Sequence, residues 1–246
     1  MFMRICLWLS LIVILCNQQL CAQKDTVILK KERHQHFLPK IILPSVFILS
    51  GVLLTGKQIE KDWQVAVRNK VGYDYHTNME DYIQYVPYVE IYLGDLAGIK
   101  AKNHWFDQTK NIFIGGLFTT LITHSLKIGV GKERPDGSSK RSFSSGHTAT
   151  SFLGATILYH EFKDSSPLLA YSGYAFSTST GGLRVINNRH WVSDVIAGAG
   201  VGILVANLVY YIEPLKNWNP FRTNNNLTFS PIINGDEFTF VAVLTF

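Results

Sequence analysis

Six long apolar stretches, separated by polar or glycine-rich connections, constrain the fold of this chain more than any other feature. They cover residues 41–56, 82–99, 111–129, 148–162, 167–183 and 195–212. Apolar stretches of this length are typical of helices that bury against one another, and no internal repeat competes with that interpretation. We therefore predict an all-α fold, a helical bundle of five to six core helices, for residues 37–218.

Most of these stretches are short for crossing a bilayer, which needs about 20 predominantly apolar residues. The last one, VIAGAGVGILVANLVYYI, comes closest without interruption, whereas Glu90 and Asp95 interrupt the second. We expect a bundle that lies at the membrane surface or partly within it. Six spanning helices, and hence an integral membrane protein, are the alternative if the N-terminal segment is retained.

The first 22 residues have the anatomy of a secretory signal peptide. Arg4 precedes the apolar run ICLWLSLIVILC, and Ala22 offers a small residue at a cleavage site. We predict export to the periplasm or cell envelope, with residues 1–22 removed and residues 23–36 forming a polar lead-in. A retained membrane anchor and lipidation at Cys21 are the alternatives. Because all three cysteines lie in this segment, the mature chain would hold no disulfide.

The last segment, residues 219–246, has the composition of strands rather than helices. Asn234–Gly235 is a typical two-residue turn, and polar and apolar residues alternate through EFTFVAVLTF. We predict a short C-terminal β-hairpin. Because an isolated hairpin is only marginally stable, it would have to pack on the bundle or on a partner chain.

Three polar clusters interrupt the second half of the bundle. The first is KIGVGKERP at residues 127–135, which follows an apolar stretch. The second is the turn SSGH at residues 144–147, which directly precedes another apolar stretch. The third is RVINNRHWVSD at residues 184–194, which connects the last two stretches. Helices of a bundle can bring all three clusters to one end.

The cations Lys127, Arg134 and Arg184 would match the three equatorial oxygens of a phosphoryl group if the fold brought them together. Guanidinium groups pair with such oxygens through two hydrogen bonds at once. Each cation alone is more typical of a helix end or a membrane interface. Their combination favours a phosphate site, and the net charge of +5 suits an anionic partner.

The SSGH turn can supply backbone donors to the same anion. The N-terminus of a helix leaves N–H groups unpaired and favours anions, and Gly146 has no side chain to block the approach. His147 would then lie at the rim, where it can protonate a leaving oxygen. An ordinary helix cap is the alternative interpretation of the turn alone.

His190 and Asp194 are four positions apart, a spacing that places a carboxylate beside an imidazole on a helix. A carboxylate on one ring nitrogen fixes the tautomer and leaves the other nitrogen free for attack. A polar capping contact is the alternative for this pair in isolation. Six polar residues in three loops are better explained together, by a phosphate site with a histidine nucleophile.

The patterns K-x6-RP, S-G-H and R-x5-H-x3-D resemble the signature of the phosphatidic-acid phosphatase type 2 superfamily, which also contains the vanadium haloperoxidases. The resemblance covers residues 127–194 and includes the order, the spacing and the placement of the motifs at helix ends. It implies a helical bundle and a phosphatase that needs neither a metal nor another cofactor. Two positions depart from the family pattern: Ser144 stands where proline is usual, and Leu183 where serine precedes the arginine.

The resemblance also implies a role for each motif residue. His190 would be the nucleophile that forms a phosphohistidine, with Asp194 orienting it and His147 protonating the leaving group. The phosphate-binding residues would be Lys127, Arg134, Ser145, Gly146 and Arg184.

The expected substrate is a lipid phosphate or diphosphate at the cell envelope, such as an anionic phospholipid like phosphatidate, an isoprenoid phosphate like undecaprenyl diphosphate, or lipid A. A soluble periplasmic acid phosphatase, a haloperoxidase, and a lipid-binding or assembly protein without turnover are the alternatives. We expect no nucleic-acid partner, because the basic residues form no recognisable nucleic-acid module. The mature chain shows no cysteine–histidine set with metal-ligand spacing, so we predict no metal site.

Overall fold

The computed structural model describes residues 27–212, 227–234 and 237–244, and it describes side chains for residues 40–212. Eight helices occupy the first of these ranges. They are α1 (Val27–Leu54), α2 (Gln58–Val71), α3 (Met79–Ile83), α4 (Val86–Leu96), α5 (Trp105–Val130), α6 (Gly146–Phe162), α7 (Pro167–Ile186) and α8 (Val192–Tyr211).

The core of the bundle lies around α6 and α8. Leu153, Ile157 and Phe162 of α6 are fully buried, and they form one apolar cluster with Val201 and Val205 of α8. α8 also packs along α1, and α6 packs along α7. Since α5 to α8 follow one another up and down the bundle, the end of α5, the start of α6, the end of α7 and the start of α8 meet at one end.

Helix α5 is amphipathic in the sense opposite to that of a helix in a water-soluble protein. Its buried residues are polar or small, among them Gln108, Asn111 and Thr119. Most of its exposed residues are large and apolar, and Phe113 is 73% exposed. A helix that turns its polar side to the protein and its apolar side outward suits a lipid surrounding.

Two helices, α5 and α8, are long and apolar enough to cross a membrane. Residues 40–54 of α1 and the whole of α2 pass the same test as a pair, although the pair is bent by 90°. The described residues therefore hold two spanning candidates, or three if the bent pair is one span. We predicted that only residues 195–212 come close to a membrane span, and this underestimated the number of candidates. α5 was missed because its polar residues face inward.

Helix α2 carries a polar stripe that faces the bundle. Glu60, Gln64 and Arg68 are each at most 5% exposed, whereas Trp63 between them is 42% exposed. Gln64 donates to the carbonyl of Val185, and Arg68 donates to that of Ile186. α2 thus holds the end of α7 through hydrogen bonds rather than through apolar packing.

The predicted all-α class fits the bundle, but the predicted architecture of five to six core helices with a hairpin attached is wrong. The first compact unit, which ends at Tyr211, is all helical in its described residues, with eight helices and no strand. α2 escaped prediction because its sequence is largely polar. The predicted helix over residues 82–99 is divided into α3 and α4, since Pro87 favours a new helix start.

A second compact unit covers Ile212–Phe246. Its described residues form two antiparallel strands, β1 (Leu227–Asn234) and β2 (Glu237–Leu244), in which Leu227 is opposite Leu244 and Asn234 is opposite Glu237. The predicted signal peptide, residues 1–22, lies outside the described residues. Residues 27–36 of the predicted polar lead-in belong to α1.

Candidate active site

All eight residues predicted for the site come from helix ends and connections that meet at one end of the bundle. They are Lys127 at the end of α5, Arg134 in the following loop, Ser145, Gly146 and His147 at the start of α6, Arg184 at the end of α7, His190 just before α8 and Asp194 in its first turn. The backbone N–H of Ser145 donates to the carbonyl of Asp194 at 3.0 Å, which ties the second cluster directly to the third.

His190 and Asp194 lie side by side in the buried part of the site. The Nδ1 atom of His190 is 3.5 Å from Oδ2 of Asp194, and both side chains are almost fully buried. With Nδ1 directed at the carboxylate, Nε2 is left as the free ring nitrogen. Burial lowers the pKa of His190 to about 4, although Asp194 opposes this shift. The imidazole is therefore neutral at pH 7, as the predicted role of nucleophile requires.

Two further donors hold the same carboxylate oxygen. The backbone N–H of Trp191 donates to Oδ2 of Asp194 at 3.0 Å, and the hydroxyl of Ser142 donates to it as well. Ser142 is fully buried, and its Oγ is also 3.5 Å from Nδ1 of His190. We did not predict Ser142, because a serine in a basic, glycine-rich loop carries no pattern that separates it from its neighbours.

The three predicted phosphate-binding cations lie close enough for their charges to interact. Lys127 feels the charges of both Arg134 and Arg184, and its Cε lies 4.0 Å from the position that a Cβ on Gly146 would take. The Nε atoms of Arg134 and Arg184 are buried and have no hydrogen-bond acceptor among the described residues. Because an unpaired buried donor is costly, two such donors at one place fit an anion acceptor.

The SSGH turn is both a helix cap and a donor site. Oγ of Ser145 accepts hydrogen bonds from the backbone N–H and the hydroxyl of Thr148, as expected for an N-cap. The hydroxyl proton of Ser145 remains available to another acceptor. Ser144, which replaces the usual proline, is fully buried, and its Oγ has no partner among the described residues.

His147 is partly exposed at the rim, next to an acidic residue that we did not predict. Its Nε2 is 2.8 Å from Oδ1 of Asp81 on α3. Burial and the neighbouring Arg184 lower the pKa of His147, while Asp81 raises it and so opposes part of this shift. The histidine thus has both a carboxylate partner and an approach from solvent.

Arg184 is held by the same short helix. Its Nη1 is 3.1 Å from Oε1 of the buried Glu80 and 3.9 Å from Oδ1 of Asp81. Asn187 donates to Oε1 of Glu80 at 2.6 Å. No local sequence signal identifies α3 as part of the site, because Glu80 and Arg184 are 104 positions apart.

An open cavity of about 380 Å³ lies beside the site. It is bordered by Arg134 and Trp191, and also by Lys61 and Lys132. Within residues 40–212, no cluster of three histidine, cysteine or acidic side chains is arranged to hold a metal ion. The absence of a cofactor remains a prediction.

Comparison with known proteins identifies a family profile and a relative that each match part of this chain. The sequence profile of the PAP2 superfamily matches residues 108–218. The lipid A 1-phosphatase of Porphyromonas gingivalis is 36% identical over 155 residues, which make up 63% of this chain and 35% of that protein. The chain thus spans about a third of the length of this relative.

Two solved structures match part of this chain. A transmembrane PAP2 type phosphatidylglycerolphosphate phosphatase from Bacillus subtilis has a TM-score of 0.50 and 19% identity, over 74% of this chain and 99% of that one. Aquifex aeolicus LpxE has a TM-score of 0.46 and 18% identity, over 65% of this chain and 98% of that one. The Bacillus structure supports the helical fold.

Proposed function

We propose that this chain, whose residues 108–218 match the profile of the PAP2 superfamily, is a membrane-associated phosphatase of that superfamily and hydrolyses a lipid phosphate through a phosphohistidine on His190. One observation carries the proposal. His190 and Asp194 are paired within the electrostatic reach of Lys127 and Arg184, and the Nε–H groups of Arg134 and Arg184 are buried with no acceptor among the described residues.

The first chemical step would transfer the phosphoryl group to the enzyme. Nε2 of His190 attacks phosphorus, and a bond forms between nitrogen and phosphorus as the bond to the lipid oxygen breaks. His147 gives its proton to that oxygen, so that the lipid leaves as an alcohol, or as a monophosphate if the substrate is a diphosphate. Lys127, Arg134 and Arg184 neutralise the phosphoryl oxygens as charge develops on them.

The second step would release phosphate. His147, now neutral, removes a proton from a water molecule, which attacks the phosphorus of the phosphohistidine. The bond between nitrogen and phosphorus breaks, and His190 returns to its neutral form with Asp194 at Nδ1. Throughout, the carboxylate of Asp194 stabilises positive charge on the imidazole and keeps its orientation.

A lipid is the favoured substrate because the molecule that carries the site has an apolar exterior. Exposed side chains such as Leu53 and Phe113 suit lipid contact, and the site lies at one end of the same helices. Among lipid phosphates, we propose the phosphate groups of lipid A as the first substrate to test. The basis is the similarity to the lipid A 1-phosphatase of Porphyromonas gingivalis.

The test is phosphate release by the full chain in detergent, with EDTA present, from lipid A, phosphatidate, undecaprenyl diphosphate and p-nitrophenyl phosphate. We expect turnover in EDTA with a preference for a lipid, and loss of turnover in His190→Ala. His104→Ala is the matched control, since His104 is an exposed histidine at the opposite end of α5 from Lys127. Undiminished release by His190→Ala would contradict the mechanism, and a preference for p-nitrophenyl phosphate would contradict the lipid substrate.

A further inference from the structure

Lys132 lies at the centre of a buried polar network that the proposed chemistry does not use. Its Nζ is 2.6 Å from Oε1 of Glu60, 2.7 Å from Oγ of Ser193 and 2.9 Å from Oδ1 of Asp194. The side chain of Lys132 is 10% exposed, that of Glu60 is 2% exposed, and that of Asp194 is completely buried. Such a network is costly unless its members are paired, and here each is paired.

The two oxygens of Asp194 have different partners. Oδ2 faces Nδ1 of His190 and accepts from Ser142 and from the backbone of Trp191, whereas Oδ1 faces Lys132. Contacts on both oxygens leave the carboxylate no freedom to rotate about its last bond. The orientation that His190 meets is therefore determined partly by Lys132.

Glu60 determines in turn where the amine of Lys132 lies. Oε2 of Glu60 accepts from the backbone N–H of Gly56 at 2.9 Å, and Oε1 accepts from Ser193. Gly56 forms the turn between α1 and α2 with a positive φ of 76°, so Glu60 is anchored to the bend itself. The connection from this bend to the active site runs from Glu60 through Lys132 to Asp194.

We propose that Lys132 and Glu60 are positioning residues, which hold the carboxylate of Asp194 in the orientation that activates His190. This inference rests on the proposed function, because it takes Asp194 as the partner of a nucleophilic histidine. Neither residue touches the phosphoryl group in this role. Substitution should consequently lower kcat and leave KM nearly unchanged.

The charges of Lys132 and Glu60 should also affect the acid limb of the pH–rate profile, which gives a second readout. Activity is lost as pH falls through the pKa of His190, because a protonated imidazole cannot attack. The charges of Lys127, Arg184 and Asp194 act on His190, and Lys132 acts through Asp194. Removing a cation stabilises the protonated imidazole, so Lys132→Met should move this limb to higher pH. Glu60→Gln removes an anion and should move it to lower pH.

The test compares kcat, KM, the pH profile and the melting temperature of the full chain and its variants in detergent. We expect Lys132→Met to lower kcat by about 100-fold, the loss that an orientation error of about 1 Å can cause. Lys132→Arg should restore most of this loss, because it keeps the charge. Lys70→Met is the matched control: Lys70 is an exposed lysine on α2, and its replacement should change none of these values.

The double variant Glu60→Gln, Lys132→Met separates positioning from folding. It removes both charges, so Glu60 is not left as an unpaired buried ion, and Asp194 keeps its hydrogen bonds from Ser142 and Trp191. We expect a melting temperature closer to that of the wild type than that of Lys132→Met, with the same loss of kcat. Normal kcat with an unmoved acid limb in Lys132→Met, or normal kcat in the double variant, would overturn the inference and leave the proposed function intact. Absence of turnover in the wild type, or full turnover in His190→Ala, would overturn both.

Discussion

Two histidines of the candidate active site, His147 and His190, have lowered pKa values. Burial lowers the pKa of His190 to about 4, and burial together with Arg184 lowers the pKa of His147 from its ordinary value of 6.5. In the proposed mechanism, His190 must be neutral to attack, and His147 must be protonated to act as an acid. The reaction therefore needs a pH above the first pKa and below the second.

We accordingly expect an acidic optimum for kcat/KM. Activity should be lost as pH falls through about 4, because His190 then becomes protonated. It should also decline as pH rises through the lowered pKa of His147, because the leaving group then receives no proton. The measurement is kcat/KM in EDTA between pH 3.5 and 9, using a substrate whose own ionisation is corrected for. An optimum above pH 8 would contradict these assignments.

The carboxylate of Asp81 is expected to determine where the alkaline limb lies. Asp81 contacts Nε2 of His147 at 2.8 Å and raises its pKa. Asp81→Asn removes that charge, so the pKa of His147 should fall and the alkaline limb should move to lower pH. The acid limb should stay in place, and Asp62→Asn, an exposed change on α2, should move neither limb. An alkaline limb that does not move would exclude His147 as the titrating acid.

The need for a general acid depends on the leaving group, which gives a separate test of His147. His147→Gln should lower kcat/KM by roughly 10²- to 10⁴-fold for an alkyl phosphate, the usual contribution of general acid catalysis. The loss should be much smaller for p-nitrophenyl phosphate, because nitrophenolate leaves without a proton. Equal losses for the two substrates would assign His147 to binding rather than to proton transfer.

At the level of the helices, glycine allows α8 to approach α6 closely. A Cβ on Gly202 would lie 2.3 Å from the carbonyl oxygen of Ala149 and 2.8 Å from the backbone nitrogen of Leu153. Backbone atoms cannot move aside as a flexible side chain can. The close approach matters for function, because the same two helices carry His147 and Asp194 at their starts.

Gly202→Ala should therefore lower the free energy of unfolding by about 1–3 kcal/mol, the usual cost of overpacking a core. Gly116→Ala on α5 is the matched control. A Cβ there meets no atom within 4 Å, and alanine is the better helix former, so stability should be unchanged or slightly increased. The measurement is the melting temperature of both variants in one detergent. Equal effects would show that the two helices can separate without cost.

The site residues that could be predicted are those that lie within short, spaced motifs. Arg184, His190 and Asp194 fall within one turn and the helix ends beside it, so local spacing identified them together. Lys132, Glu60 and Asp81 escaped because their relation to the site is made by packing between distant helices. α2 escaped for a related reason: its buried residues are the polar ones, and hydrophobic periodicity therefore gives no sign of its buried side.

For the whole molecule, the exposed side of the long helices shows which surroundings the protein contacts. The long apolar helices α5 and α8 differ in burial: 17% of the most apolar window of α5 is buried, against 72% for α8. α8 is apolar because it fills the core, so its composition alone does not require lipid. α5 is apolar on the side that the protein leaves uncovered, and this side is the better evidence for a membrane.

A charge introduced on the exposed side of α5 should have different effects in a membrane and in water. Leu117 lies in the middle of α5 and is 50% exposed. In a bilayer, Leu117→Asp should cost roughly 2.5–3.5 kcal/mol, so less protein should remain in the membrane fraction after alkaline carbonate washing. In water the same change would be neutral or would improve solubility. Gln58→Asp, at the exposed start of α2, should alter neither the yield nor the fraction that resists extraction. Release of the wild-type protein by carbonate would contradict the lipid-facing role of α5, because a chain held by spanning helices stays in the membrane when ionic contacts are removed.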